Sequence, residues 1–226
     1  MANDSYEIEI KSLLGNKENA DKLVKKMKAT DPSLQIFGSH KQLNHYFTGG
    51  DLPRLFTNVS GIIENEKKEK LKELAEKAKD YSVRTRWADG KVILVIKASV
   101  DDTTSSNGTA RLEWESLINL KLDELDKLVL DSGFKYQAKW SRERQEFKYK
   151  DLNVSIDKNA GYGYLAEFEK VVGDESLATQ TKEEIRQLMK ELEADELPQD
   201  RLARMFDYYN KNWQNYYGSE KIFTIE

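Results

Sequence analysis

The sequence contains no cysteine. That absence removes disulfides, thiolate zinc centres, iron–sulfur clusters and a cysteine nucleophile together. Histidine is nearly missing too, since only His40 and His45 occur. A centre built from several imidazoles is excluded, and any metal has to be held mainly by oxygen. No apolar run approaches the roughly 20 residues that a membrane-spanning helix needs. The first residues, Met1 to Tyr6, carry no charged-then-apolar targeting pattern. A soluble cytoplasmic protein without a membrane partner is expected. An excess of positive charge is also lacking: 36 Lys and Arg stand against 40 Asp and Glu, a net charge of −4. Dedicated duplex binders are usually markedly basic, so no nucleic-acid partner is expected.

What is present is enough for a core. The chain has 226 residues, 38% of them hydrophobic and 10% aromatic, which argues against an extended chain and allows a core without staples. Tyr6–Ser12 alternates apolar and charged residues, the period of a strand. Leu23, Val24 and Met27 recur at helical spacing within residues 16–29, and Asp31-Pro32 closes that helix. Residues 41–48 read as a strand ending at Gly49-Gly50, and 62–80 as a solvated Glu/Lys helix. Strands over 81–87 and 91–100 flank Ala88-Asp89-Gly90, a hairpin signal, and a polar loop spans 101–109.

Further strands are read at 111–117, 134–144, 146–150, 153–158 and 164–171, with a helix over 121–130 ending near Gly133. Thr181 with Glu184 forms a capping box before the stripe Ile185, Leu188, Met189 and Leu192. The last helix starts near Asp200 and shows Leu202, Phe206, Tyr209 and Trp213 on one side. No repeat and no linker between two cores is visible. The expectation is one α+β domain over residues 1–226, mostly antiparallel, with an insertion at 51–80 and a helical segment at 180–226.

Charges gather on particular strand faces. Glu7, Glu9 and Lys11 share one; Arg84 and Arg86 another; Arg111, Glu113 and Glu115 a third; Arg142 and Arg144 a fourth; Glu167 and Glu169 a fifth. Lys97 ends the apolar run Val92–Ile96, and Asp157 ends another strand. Two arrangements give this pattern. A half-buried sheet would turn these charges to water at little energetic cost. A closed barrel would enclose them, and buried charges must be paired or bound to ions. Such an interior suits a hard cation on the carboxylates and a polyanion on the Arg and Lys rows. Spacing alone leaves both open.

The order of these motifs carries a resemblance. Glu7-Ile-Glu9-Ile-Lys11 resembles the E-x-E-x-K signature of the CYTH superfamily, the triphosphate tunnel metalloenzymes. Gln42-Leu-Asn44-His-Tyr46-Phe47 resembles the family's second-strand pattern, with Asn44 where an acid often stands. Arg84-Thr-Arg86, Lys97, Arg111-Leu-Glu113-Trp-Glu115 and Lys139-Trp-Ser-Arg142-Glu-Arg144 follow in the family's order, as do Asp157, Gly161, Gly163 and Glu167-Phe-Glu169. The layout is most similar to the class IV adenylate cyclase branch.

The resemblance implies an eight-stranded antiparallel barrel with helices outside. It implies Mg²⁺ or Mn²⁺ on Glu7, Glu9, Glu167 and Glu169, with Glu113, Glu115 and Asp157 holding a second ion or orienting basic groups. It implies a triphosphate on Lys11, Arg84, Arg86, Lys97, Arg111, Arg142 and Arg144. Glu7, Glu9, Lys11, Arg84 and Arg86 are the expected catalytic set. The expected partner is a small triphosphate, ATP, another nucleoside triphosphate or tripolyphosphate, with a homodimer left open. Hydrolysis by water is preferred because it needs no surface beyond the phosphate cradle. The alternative is cyclisation of ATP to cyclic AMP and pyrophosphate. A non-catalytic polyphosphate binder ranks last, since carboxylates beside phosphates repel them unless a metal intervenes.

Overall fold

The computed structural model describes residues 6–78, 80–99, 104–105, 108–109 and 112–226. Ten strands and six α-helices follow one another along it. They are β1 Tyr6–Gly15, α1 Lys17–Thr30, β2 Gln35–Gly49, α2 Leu52–Val59, α3 Asn65–Lys77, β3 Asp80–Ala88, β4 Lys91–Ser99, β5 Thr104–Ser105, β6 Gly108–Thr109 and β7 Leu112–Ile118. After these come α4 Leu122–Asp131, β8 Phe134–Tyr149, β9 Leu152–Asn159, β10 Gly163–Val172, α5 Ala178–Glu191 and α6 Gln199–Asn212.

Eight strands form one sheet in the order β1-β10-β9-β8-β2-β3-β4-β7, while β5 and β6 pair only with each other. The ladders run antiparallel. The expected α+β architecture of eight antiparallel strands with helices is thus present. Among the described residues no ladder joins β1 to β7, and no helix is long and apolar enough to cross a membrane.

Contacts divide the chain into two compact units, residues 1–41 with 141–226, and residues 42–140. Each has its own core. In the first, Ile10, Phe147, Tyr149, Val154 and Phe168 from the strands pack with Leu23 and Met27 of α1 and Ile185 and Met189 of α5. In the second, Phe47, Val83, Leu94, Ile96 and Trp114 pack with Leu55 and Val59 of α2, Leu71 and Leu74 of α3, and Leu125 and Val129 of α4. Helix α2 lies inside the stretch read as an insertion. Its signals are local: Asp51 accepts from the Arg54 N–H at 2.8 Å, Pro53 sits in the first turn, and Leu52, Leu55 and Val59 make a buried stripe.

Strand β8 is continuous where the sequence suggests two strands. Phe134 and Ala138 are buried at even positions, Phe147 and Tyr149 at odd ones. The buried positions of the strand therefore change phase along its length. The turn between β3 and β4 behaves as expected. Asp89 (φ 47°) and Gly90 (φ 86°) both take positive φ, the type I′ geometry of a two-residue hairpin.

The second half of the chain holds two corrections. Thr181 does not cap α5; it is buried inside that helix, which starts at Ala178. A short 3₁₀ turn leads in, with Asp174 accepting from the Ser176 N–H at 2.8 Å. Helix α6 buries Met205 and Tyr209, whereas Phe206 is exposed. The aromatic tail folds back on its own unit. The Phe223 N–H donates to the Gly161 carbonyl at 2.9 Å, and Tyr162, Tyr208, Tyr209 and Tyr216 surround the Phe223 ring. Gly161 (φ 76°) allows this closure, because a Cβ there would lie 2.8 Å from the Phe223 ring and from the Tyr209 ring.

Candidate active site

In the first unit, register places the charges. Glu9 stands opposite Glu169 and Lys11 opposite Glu167 across the β1–β10 ladder. Glu167 faces Ser155 and Glu169 faces Asn153 across β10–β9, and Arg144 faces Asp157 across β8–β9. Directly opposite residues share a face in an antiparallel ladder. One surface therefore carries Glu9, Lys11, Arg142, Arg144, Ser155, Asp157, Glu167 and Glu169.

Arg144 is the hub. Its Nε donates to Asp157 Oδ1 at 2.7 Å and its Nη2 to Asp157 Oδ2 at 2.6 Å, a two-pronged clasp. The same Nη2 reaches Glu167 Oε2 at 2.5 Å. Arg142 Nη1 lies 3.4 Å from Asp157, and Lys11 Nζ bridges Glu9 at 2.5 Å and Glu167 at 3.5 Å. Ser155 donates to Glu167 at 3.3 Å.

The Asp157 side chain is only 2% exposed and that of Arg144 17%. Burial alone pulls the Arg144 guanidinium down, but the Asp157 hydrogen bonds and charge, and then Glu167, carry it above its ordinary value. Burial likewise pushes Glu167 up, yet the charges of Arg144 and Lys11, the Arg144 hydrogen bond and the Arg142 charge hold it below the usual carboxylate range. Glu167 is thus ionised at neutral pH. A lowered folded-state pKa stabilises the protein above the unfolded value, about 4.3 for Glu, and that stabilisation is lost as pH falls through the folded value. The Tm advantage of the wild type over Glu167→Gln is therefore expected to be constant near neutrality and to shrink below about pH 4. A gap that stays flat from pH 7 to pH 3 would contradict this assignment.

The second unit carries its own basic row. Tyr46 faces Arg84 and Asn44 faces Arg86 across β2–β3. Arg84 Nη1 donates to the Tyr46 hydroxyl at 3.0 Å, with its guanidinium carbon 5.4 Å from the ring centroid. Arg86 Nε donates to Asn44 Oδ1 at 3.0 Å, a neutral amide oxygen where the resemblance expects an acid. Lys97 faces Ser82 across β3–β4, which puts it on the face of Arg84 and Arg86. Across β4–β7 the position of Glu113 is opposite Lys97, and Glu115 is opposite Val95.

The expected residues are distributed accordingly. Glu9, Lys11, Arg142, Arg144, Asp157, Glu167 and Glu169 share the first surface, and Arg84, Arg86, Lys97 and Glu115 share the second. The backbone of Glu7 pairs with that of Val171 in β1–β10. Arg111 lies outside the described residues. Ser155 and Asn153 were not singled out from the sequence, although they alternate with Asp157 in Asn153-Val-Ser155-Ile-Asp157. Their signal is that alternation; charge alone hides it.

Among the described residues, no three of His, Asp and Glu gather closely enough to hold an ion by themselves. Glu9 and Glu169, however, are directly opposite each other, where like charges repel. Mg²⁺ is often held by one or two carboxylates, with substrate phosphates and water completing its shell. The all-oxygen donor set fits a hard divalent cation that arrives with a phosphate ligand.

The CYTH domain family model matches residues 5–201. Among solved structures the chain is similar to the PH1012 protein of Pyrococcus horikoshii, with TM-score 0.52 and 17% identity over 84% of this chain and 92% of that one. A conserved hypothetical protein from Pyrococcus furiosus gives TM-score 0.52 and 17% identity over the same shares, 84% and 92%. A proposed adenylate cyclase from Vibrio parahaemolyticus gives TM-score 0.53 and 15% identity over 89% of this chain and 98% of that one. At such identities the likeness concerns the fold. No curated protein matches the chain. With residues 5–201 matched, the chain belongs to the CYTH domain family.

Proposed function

We propose that the protein is a metal-dependent enzyme acting on a triphosphate-containing substrate, and that it is a phosphohydrolase of nucleoside or inorganic triphosphate. The first surface supports this best, through Arg144 clasped by Asp157 and Glu167 beside Lys11 and Arg142, with Glu9 opposite Glu169. A simple polyanion binder gains nothing from carboxylates next to the phosphates, because they repel the ligand. The same carboxylates become favourable once a divalent cation lies between.

In this reading Lys11, Arg142 and Arg144 hold phosphate oxygens through charge-assisted hydrogen bonds. Arg144 is oriented beforehand: Nε and Nη2 are engaged by carboxylates, and among the described residues Nη1 makes no hydrogen bond, which leaves its donors for a phosphate oxygen. Asp157 and Glu167 orient Arg144. Glu9 and Glu169, with Glu7, would hold Mg²⁺ or Mn²⁺, and Glu113 and Glu115 would be the groups for a second ion. When bound, the cation neutralises phosphate charge and polarises the phosphoryl group. Arg84, Arg86, Lys97 and Arg111 are phosphate-binding groups of the second row.

Water is the preferred nucleophile. Cyclisation would require groups that hold a ribose so that its 3′-hydroxyl lies in line with the α-phosphorus. The aromatic tail was the one aromatic-rich segment left for that task. Its Tyr208, Tyr209, Tyr216 and Phe223 pack on one another and on Tyr162, so a structural use accounts for them.

The deciding experiment offers tripolyphosphate, ATP, GTP and thiamine triphosphate with Mg²⁺ or Mn²⁺, against EDTA controls, and identifies products by mass. Phosphate, with ADP from ATP, and silence under EDTA are expected. Cyclic AMP and pyrophosphate as the sole products of ATP would replace this reading by the class IV cyclase. No turnover of any substrate would leave only a binder.

A further inference from the structure

Behind the Arg84 and Arg86 row lies a buried carboxylate with no phosphate-binding role of its own. Asp126 of α4 is 2% exposed. Its Oδ2 accepts from the Tyr136 hydroxyl at 2.7 Å and lies 2.6 Å from His45 Nδ1, while its Oδ1 accepts from Thr85 Oγ1 at 2.5 Å. Lys139 Nζ stands 3.8 Å away. His45 and Thr85 are themselves buried. Burial pushes Asp126 up, but the hydrogen bonds from His45, Thr85 and Tyr136 and the His45 charge hold it below the usual carboxylate range. It is a charged acceptor at neutral pH, and a charged acceptor binds its donors more tightly than a neutral one.

The register gives this network a consequence for the other face. His45 and Thr85 are directly opposite in the β2–β3 ladder. The next rungs on either side are Asn44 with Arg86 and Tyr46 with Arg84. Side chains alternate along a strand. Asp126 therefore grips, from the helix side, the one rung that separates the two arginine rungs. A shift or twist of that rung would move both guanidinium groups at once.

We propose that Asp126 is a positioning residue for polyphosphate binding: by tying His45 and Thr85 to α4 and β8, it fixes the rung that sets how Arg84 and Arg86 are presented to phosphate oxygens. The proposal rests on Arg84 and Arg86 being phosphate ligands. Groups behind a binding residue that hold it in place commonly carry effects of ten- to a hundredfold, because a preorganised donor loses less freedom when its ligand arrives.

The test uses the full chain and tripolyphosphate as probe, with Kd read by calorimetry and Tm read on the same samples. Asp126→Asn is expected to weaken tripolyphosphate roughly tenfold. Val129→Ala, on the same helix and buried in the same core, lowers Tm through a cavity and is expected to leave Kd unchanged. In the Arg84→Ala background Asp126→Asn is expected to weaken binding further, through Arg86, but by less than it does in the wild type, since part of its effect runs through Arg84. Thr85→Val removes one of the three bonds and decides the matter if Asp126→Asn does not fold; a smaller loss of affinity in the same direction is expected. Wild-type Kd in Asp126→Asn or Thr85→Val, with Arg84→Ala impaired, would overturn the positioning role alone. Full additivity in the double variant would do so too. Wild-type Kd in Arg84→Ala would overturn the phosphate role of the row, and this proposal with it.

Discussion

Arg144→Ala is expected to cost about 3 kcal/mol of stability, because it leaves two largely buried carboxylates, Asp157 and Glu167, without their common partner. For a chain of this size that corresponds to a fall in Tm of roughly 6–12 °C. Turnover of the preferred triphosphate should fall more than the melt explains, since a charge-assisted phosphate contact contributes about 1.5–3 kcal/mol, tenfold or more in kcat/KM. Stability and function separate in a rescue. Adding Asp157→Asn and Glu167→Gln to Arg144→Ala removes the orphaned charges, so Tm should recover in part while activity does not. Arg144→Lys keeps the charge but loses the planar fork that meets Asp157 with two bonds, and an intermediate loss is expected. A Tm within 1 °C of wild type in Arg144→Ala would mean the clasp does not hold in solution.

The second large effect concerns the carboxylates that meet across β1 and β10. Glu9→Gln/Glu169→Gln is expected to reduce Mg²⁺- or Mn²⁺-dependent turnover to the level of the EDTA control. A cation on a phosphoryl group stabilises the transition state by several kcal/mol, so the loss should be on the order of a thousandfold. Thermal stability without metal should hold or rise slightly, because opposite like charges in a ladder are destabilising. The wild type should gain Tm when cation and tripolyphosphate are added together, and the double variant should gain less. Both changes are neutral isosteres at a partly open surface, so a folding defect is not the expected outcome. Substantial metal-dependent turnover in the double variant would move the metal elsewhere.

Much of this was legible in the chain. The alternation in Tyr6–Ser12, the paired arginines at 84 and 86 and the Glu167-Phe-Glu169 step assigned charges to strand faces, because a period of two leaves only two faces to choose from. The absence of cysteine and the near-absence of histidine confined any metal to oxygen donors. Asp89-Gly90 specified its hairpin, because both positions need positive φ.

Three things required the folded chain. The buried positions of β8 change phase between Ala138 and Phe147, and that break in the alternation makes one continuous strand read as two in the sequence. Helix α2 depends on a cap at Asp51 and a stripe of three apolar residues, too short a period to stand out from an insertion. Asp126 is one acid among several on a short helix until β2, β3 and β8 bring His45, Thr85 and Tyr136 to it from 81, 41 and 10 positions away. Which residues share a strand face, and what chemistry those faces can hold, follow from the order of residues along the chain, because alternation is a local property of the backbone. Which carboxylate clasps which guanidinium, and which buried acid stands behind the arginine row, was decided only by tertiary structure, because ladder register and helix docking set distances between residues far apart in the chain.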